Sequence, residues 1–550
     1  MGCRLRRRPA RHASGGARAV RGSGAAALVV SLLLAGCSSG ESRGDTSDAS
    51  SRGTSGSAAD EQQPGDPEAK PLEPLPEKIP KALKPYYAQT LRWHQCGPSG
   101  FQCAELRAPV DYESPDKGTD LKLSVVRKKA EGNGKPIGSL QVNPGGPGGS
   151  AVDYVQQAAA LSYPQQVRDR YDLVGMDPRG VARSEPIECL TDAQMDTFTT
   201  VDQTPDDAAE RKQLSAAYKQ FAAGCKKQSG ARLGHVSTEE AARDMDLLRS
   251  ALGDEKLSYL GASYGTYLGA TYAGLFPQRA GRLVLDGAMD PSLDAERLNR
   301  EQTGGFETAF RAFAEDCVER EDCPLGSGSR AKAGRKLAAF FKKIDARPLR
   351  TDQQGRRLTE SLATTGVIRA MYDEGSWPAL REALKDAQRG DGSALLMLSD
   401  DYYERSPDGS YSNIMYANPA VNCLDLPPAF DGPQDVRKAV PSFEKTSPVF
   451  GRGFAWAALN CGYWQAEPSG EPHTVEAKGA DPILVVGTTR DPATPYRWAE
   501  GLAGQLSSAH LLTYEGDGHT AYLRGSTCID SAVNDYLLKN KAPKDGTTCR

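Results

Sequence analysis

Lys256-Leu-Ser-Tyr-Leu-Gly-Ala-Ser263-Tyr-Gly265-Thr-Tyr-Leu-Gly-Ala270 starts as a short apolar strand, breaks at Gly261 and resumes as a helical run. Within it Gly261, Ser263 and Gly265 form a Gly-x-Ser-x-Gly turn. Such a turn needs small residues on either side of the serine, so that a strained backbone can lift the hydroxyl above the end of a sheet. In a chain with 57 glycines the pattern alone is weak. Its setting gives it force, because a strand precedes it and a helix, expected from Tyr264 to Phe276, follows. Ser263 is therefore the candidate nucleophile.

The flanking sequence repeats this alternation. Ile137–Val142, Tyr171–Met176, Arg282–Asp286 and Pro482–Val486 read as short buried strands. Ser237-Thr-Glu-Glu240 has capping-box spacing, Ala241, Met245, Leu248 and Leu252 recur at helical intervals, and Gly253 suits a C-terminal cap. Strand and helix in turn predict an α/β class with a mostly parallel, doubly wound sheet. From about residue 291 to 450 the rhythm gives way to helical patterns, such as Phe306–Cys317 and Ala331–Ile344, and to a tyrosine-rich loop region around Tyr402, Tyr403, Tyr411 and Tyr416. This stretch is expected to form an inserted, mainly helical lid between core segments 86–290 and 451–550.

A serine hydroxyl is a poor nucleophile at neutral pH and needs a base. Sheets that carry this turn order their groups as Ser, then acid, then His. His519, in Gly516-Asp-Gly-His519, comes late in the chain and is the expected base. Asp491 ends the strand-like run Ile483–Asp491 and is the expected acid that orients the imidazole. Asp517 lies only two residues from His519, and Asp481 lies at the wrong end of the strand. An oxyanion also needs preorganised donors. One is expected from the amide of Tyr264 and the other from Gly146 in Asn143-Pro-Gly-Gly-Pro-Gly-Gly-Ser150, with Gly145 as the alternative. That loop lacks the Lys-Ser/Thr ending of a P-loop and the spacing of a dinucleotide fold.

These residues together resemble the proline iminopeptidase and tripeptidyl aminopeptidase branch of α/β-hydrolases, in its actinobacterial secreted lipoprotein form. The resemblance spans roughly residues 90–545. It rests on Val110-Asp-Tyr112, Asn143-Pro-Gly-Gly-Pro-Gly148, Asp177-Pro-Arg-Gly180, the run Gly261–Ala270, Leu285-Asp-Gly287, Asp491-Pro-Ala-Thr-Pro495 and Gly516–His519. Pro144 stands where iminopeptidases carry histidine, which favours the tripeptidyl aminopeptidase-like subgroup. The resemblance implies an exopeptidase acting on peptides with a free N-terminus. Because an unpaired buried charge is expensive, such an enzyme should hold the substrate ammonium with a lid carboxylate. Glu301, Glu307, Asp373, Glu374 and Asp425 are the candidates, with Asp425, near Cys423, and Glu307 put forward. A cell-envelope carboxylesterase using the same three residues is the alternative, and a non-catalytic solute-binding lipoprotein the remote one.

The N-terminus carries export signals. Seven arginines from Arg4 to Arg21 precede an apolar stretch, Ala25–Ala35, too short to span a bilayer. Leu34-Ala-Gly-Cys37 resembles the bacterial lipobox, so residues 1–36 are expected to be a signal peptide and Cys37 the lipidated residue that anchors the protein outside the cell membrane, with release to the medium as a variant. Residues 37–85, rich in Ser, Gly and Pro, are expected to be a disordered tether. The ten cysteines from Cys96 to Cys549 in an exported chain point to disulfides. Sequential pairing is expected because it closes local loops. No metal or organic cofactor is expected. A net charge of −4 with mixed signs leaves no electrostatic footprint for nucleic acid.

Overall fold

Residues 69–118 and 120–550 are described by the computed structural model. Eight strands carry the fold: β1 (Phe101–Ala108), β2 (Leu121–Lys128), β3 (Gly138–Asn143), β4 (Tyr171–Met176), β5 (Leu257–Ala262), β6 (Ala280–Asp286), β7 (Ile483–Arg490) and β8 (Ala509–Asp517). They lie side by side as β8-β7-β6-β5-β3-β4-β2-β1, with short strands Thr547–Cys549 and His94–Gln95 at the two ends. Pairing is parallel from β8 through β4 and antiparallel between β4, β2 and β1. The mostly parallel sheet expected from the sequence is thus present, and its apolar runs are explained by burial on both faces. In β6, Leu283 and Leu285 enter the core on one face while Val284 enters the core on the other, as the two-residue strand period requires.

The main helices are α1 (Ala208–Ser229), α2 (Thr238–Leu252), α3 (Tyr264–Leu275), α4 (Ala295–Val318), α5 (Glu360–Met371), α6 (Ser393–Tyr402), α7 (Ile414–Asp425) and α8 (Thr527–Lys539). The Ser237 side chain accepts the Glu240 amide at the start of α2, and Gly253 (φ 81°) closes its end in the left-handed region. Helices α2 and α3 cover one face of the sheet with Met245, Leu248 and Leu268, and α8 covers the other with Ile529, Val533 and Tyr536.

Between β6 and β7 the chain leaves the sheet for a helical layer. Its core is built from Phe306, Phe310 and Phe313 of α4, Leu362 and Val367 of α5, and Leu395 of α6. A helix not anticipated from the sequence joins that side. Helix α1, inserted between β4 and β5, buries Leu214 and Tyr218 against Phe430, Phe443 and Trp456. The capping box of Asp207 and Glu210 marks where it begins.

Two expectations need correction. The tether cannot run to residue 85, because Lys70–Pro71 pairs with His473–Thr474, the Leu72 amide donates to Thr474, the Leu75 amide donates to Leu275, and Tyr86 is buried. The tyrosine region is not a loop throughout: Tyr402 ends α6 and Tyr416 lies on α7, while Tyr403 and Tyr411 lie outside the helices as expected. The cysteines pair sequentially, Cys96–Cys103, Cys189–Cys225, Cys317–Cys323, Cys423–Cys461 and Cys528–Cys549. Cys37 and the signal segment lie outside the described residues. Among those described, no helix is long and apolar enough to cross a membrane.

Candidate active site

The turn between β5 and α3 is as sharp as its glycines suggest. Ser263 has φ 56° and ψ −125°, a strained conformation for a residue with a side chain. A Cβ on Gly265 would lie 2.9 Å from the Asn143 carbonyl oxygen, and one on Gly261 would strike the Gly265 carbonyl. Both positions therefore need glycine for space. The Ser263 amide donates to the Asp286 carbonyl (2.9 Å), and the Ser263 carbonyl accepts from the Thr266 hydroxyl (2.6 Å). Among the described residues its own hydroxyl has no hydrogen-bond partner.

Asp491 and His519 meet at the ends of β7 and β8. His519 Nδ1 lies 2.8 Å and 2.9 Å from the two carboxylate oxygens of Asp491. Asp491 is 2 % exposed and also accepts the amides of Ala493 and Thr494 (2.9 Å each) and Thr520 (3.1 Å). A carboxylate that takes three amides has one orientation, and it favours Nδ1 of the imidazole as the donor, which leaves Nε2 free to accept a proton. Asp517 is engaged elsewhere, in a two-pronged pair with Arg490.

Asp286 ties the serine to the histidine. Its carbonyl holds the Ser263 amide, while its carboxylate accepts the amides of Ala521 (2.9 Å) and Tyr522 (2.9 Å), just beyond His519. Burial pushes this carboxyl up to about 6, against the pull of the Tyr522 and Ala521 amides and of His519. Gly287, next in the chain, has φ 70°, in the left-handed region that favours glycine, and a Cβ there would crowd Thr494 Oγ1 and Thr520 Cγ2 at 3.2 Å. Leu285-Asp-Gly287 is one of the motifs that carry the family resemblance, but by itself it looks like an ordinary strand ending and does not point to this tie.

The Gly-rich loop after β3 passes beside the serine. A Cβ on Gly145 would sit 2.9 Å from Ser263 Cβ and 3.1 Å from the Tyr264 amide nitrogen. The Gly145 amide is already taken, donating to Asn143 Oδ1 (2.8 Å). Among the described residues the Gly146 amide has no acceptor, so of the two it is the one free to donate. Asp177 secures the far end of the loop by accepting the Ser150 hydroxyl (2.7 Å) and the Val152 amide (3.0 Å). Two of the sequence motifs prove to be scaffolding: Arg179 is buried against Asp244 (2.7 and 2.8 Å), which also accepts the Tyr112 hydroxyl (2.7 Å).

The two carboxylates put forward for a substrate ammonium are committed elsewhere. Glu307 accepts from Arg311 Nε (2.9 Å) with one oxygen and from the Ser447 hydroxyl (2.8 Å) with the other. Asp425 accepts the Thr238 amide (2.8 Å) and hydroxyl (2.6 Å), and Thr238 in turn meets the Tyr264 hydroxyl. Asp425 therefore buttresses Tyr264, the residue after Ser263, and burial raises its carboxyl to about 7. Glu301 is held by Trp498 and Arg497, and Asp373 by Arg524.

The lid reaches this site through Tyr372, at the end of α5. Its carbonyl accepts the His519 amide (2.9 Å), and its ring meets the imidazole edge-on at 5.5 Å. Gly305 of α4 lies so close to the acid loop that a Cβ would be 2.5 Å from the Pro492 carbonyl oxygen.

The chain is similar to several known proteins. Residues 447–549 match the family model described as TAP-like protein. Over 500 residues the chain is 37 % identical to the serine protease Hip1 of Mycobacterium tuberculosis, covering 85 % of this chain and 92 % of that one. It is 39 % identical over 454 residues to carboxylesterase B of the same organism, covering 82 % and 86 %. It is 30 % identical over 471 residues to the tripeptidyl aminopeptidase of Streptomyces lividans, covering 83 % and 86 %.

Proposed function

Because this chain belongs to the TAP-like family of α/β-hydrolases and is a serine hydrolase, we propose that it is an exported exopeptidase removing short peptides from free N-termini. The observation that carries the reading is the buried Asp491–His519 pair, tied through Asp286 to an unencumbered serine on a strained turn. In this mechanism Ser263 Oγ attacks the scissile carbonyl and His519 Nε2 takes its proton. Asp491 holds Nδ1–H and stabilises the imidazolium. The oxyanion is received by the amides of Tyr264, at the first turn of α3, and Gly146. His519 then protonates the leaving amine. Water, deprotonated by His519, hydrolyses the acyl-enzyme and frees Ser263.

The aminopeptidase name of the Streptomyces relative supports release of a short N-terminal peptide. The carboxylesterase name of a 39 % identical relative supports a second reading, ester hydrolysis by the same residues. The two separate on tripeptide arylamides with free or acetylated N-termini. The peptidase reading requires a higher kcat/KM for the free amine; equal values, or cleavage of esters only, would sink it. Lipid attachment at Cys37 belongs to the same reading. A Cys37→Ala protein should leave the membrane fraction, and its retention there would refute the anchor.

A further inference from the structure

The loop that carries His519 is held at three successive residues. Asp517 pairs with Arg490 of β7 through both carboxylate oxygens (2.7 and 2.5 Å). His519 is held by Asp491 and by the Tyr372 carbonyl. Between them Gly518 has φ 92°, and a Cβ there would meet two groups at once, Arg524 Cζ at 3.0 Å and the Tyr372 carbonyl oxygen at 3.2 Å. The guanidinium of Arg524 and the end of the lid helix α5 therefore converge on one point of the backbone, one residue before the imidazole. A side chain at this position would push one of them away.

Arg524 also grips the lid itself. Its Nη2 donates to Asp373 Oδ1 (2.9 Å), and Asp373 directly follows Tyr372 in the chain. The same oxygen accepts the Gly375 amide (3.1 Å), which fixes the carboxylate at the start of the next turn. On the core side the Leu523 amide donates to Asp530 of α8 (2.8 Å), with Leu523 in the left-handed region at φ 65°. Both ends of the ion pair are thus mounted on ordered backbone. A closed ring results: from the His519 amide to the Tyr372 carbonyl, along the chain to Asp373, across to Arg524, and back through Gly518 to His519.

The ion pair is not built for strength. Among the described residues Asp373 is the one hydrogen-bond acceptor of Arg524, and the Arg524 Nε is buried with none. A guanidinium placed for strength turns its planar fork on both carboxylate oxygens, as Arg490 does with Asp517. A buried N–H without a partner is a cost, and here it accompanies a contact that locates the histidine loop. Glu374, the next residue of the lid, adds a second negative charge within reach of Arg524 and Arg490. The Arg524 and Asp373 side chains are 23 % and 47 % exposed, so dissolved salt screens their attraction.

We propose that Arg524 is a positioning residue: through Asp373 it fastens the last turn of the lid onto the His519 loop, and so makes activation of Ser263 sensitive to ionic strength. The assignment rests on the Ser263–His519 reading above and is independent of which acyl group the enzyme takes. The quantity to measure is the rate of Ser263 phosphonylation by a fluorophosphonate, together with kcat and KM on a small aryl ester. Arg524→Gln and Asp373→Asn should each lower the labelling rate and kcat about fivefold, the upper end for a partly exposed pair, with KM unchanged. The double variant should be no slower than either single one, because both remove the same interaction. Raising the ionic strength from about 0.01 M to about 1 M shortens the screening length from about 30 Å to about 3 Å. It should slow the wild type by a similar factor and leave the double variant unmoved. A wild-type rate in either single variant, a change in KM instead of kcat, losses that multiply in the double variant, or equal salt dependence in the two proteins would each overturn the assignment and leave the nucleophile standing. Should Arg524→Gln fail to fold, Asp373→Asn is read by the same rate and the same salt dependence. A wild type without an adduct at Ser263 overturns both the clamp and the nucleophile.

Discussion

The backbone carbonyl of Tyr372 accepts the amide of His519 at 2.9 Å, and its ring stands edge-on to the imidazole at an interplanar angle of 84°. A residue at the end of a lid helix thus holds His519 by its main chain and walls the imidazole with its side chain. Edge-to-face pairs contribute about 0.5–1.5 kcal/mol beyond buried area. Tyr372→Phe should keep the ring and most of kcat on an aryl ester. Tyr372→Ala should lower kcat by about tenfold, because a loosened imidazole samples fewer productive orientations. Equal activity in the two variants would show that the ring does not position the base.

Asp286 makes the second tie. Asparagine at 286 keeps the size but replaces one acceptor oxygen with a donor facing the amides of Ala521 and Tyr522. Asp286→Asn should therefore lower kcat by about 10²-fold, the scale of a misplacement near 1 Å, with little change in KM. Wild-type turnover in this variant would remove Asp286 from the positioning scheme.

Contact between the lid and the acid loop is testable through a methyl group. Ala at position 305 would drive its Cβ into the Pro492 and Asp491 carbonyls. Gly305→Ala should destabilise the protein by about 1–3 kcal/mol, as overpacking does, read as a shift of the urea midpoint at unchanged slope. An unshifted midpoint would mean that helix α4 moves aside at no cost.

Glu360 should also leave a mark on stability as pH changes. Burial, followed by the nearby charge of Asp202, raises its carboxyl from 4.5 to about 7. Between those values the folded state holds a proton that the unfolded chain has released, so stability falls as pH rises. The contribution is whole below pH 4.5 and lost above about pH 7. Urea unfolding at pH 5 and pH 8 should give a smaller loss of stability in Glu360→Gln than in wild type. An equal loss would mean that the carboxyl titrates normally.

Much of this architecture was legible from the chain because the signals were local. The Gly261–Gly265 turn announces its strand and helix, and chain order singles out Asp491 and His519 as the pair to bring together. Glu360 was not legible, because a Glu after a Thr359 cap has the appearance of any first-turn acid; only packing against distant aromatic residues buries it. The same holds for α1, whose pattern makes sense once Phe430 and Trp456 cover it. Tyr402 escapes the loop expected around it because Ser393-Ala-Leu-Leu-Met-Leu398 is a helix-forming run that carries the helix up to it. Glu307 and Asp425 were attractive as acids in the right segment, but their partners Arg311, Ser447 and Thr238 come from the fold.

The central claim is that Ser263 is a nucleophile activated by His519. Its most direct test is mass spectrometry of the protein after treatment with a fluorophosphonate, mapping the adduct and its rate of formation. The account predicts one phosphonylated peptide, modified at Ser263, with labelling slowed by about 10³-fold or more in His519→Ala. An adduct at another serine, or Ser263 labelling that persists at the wild-type rate without His519, would contradict it.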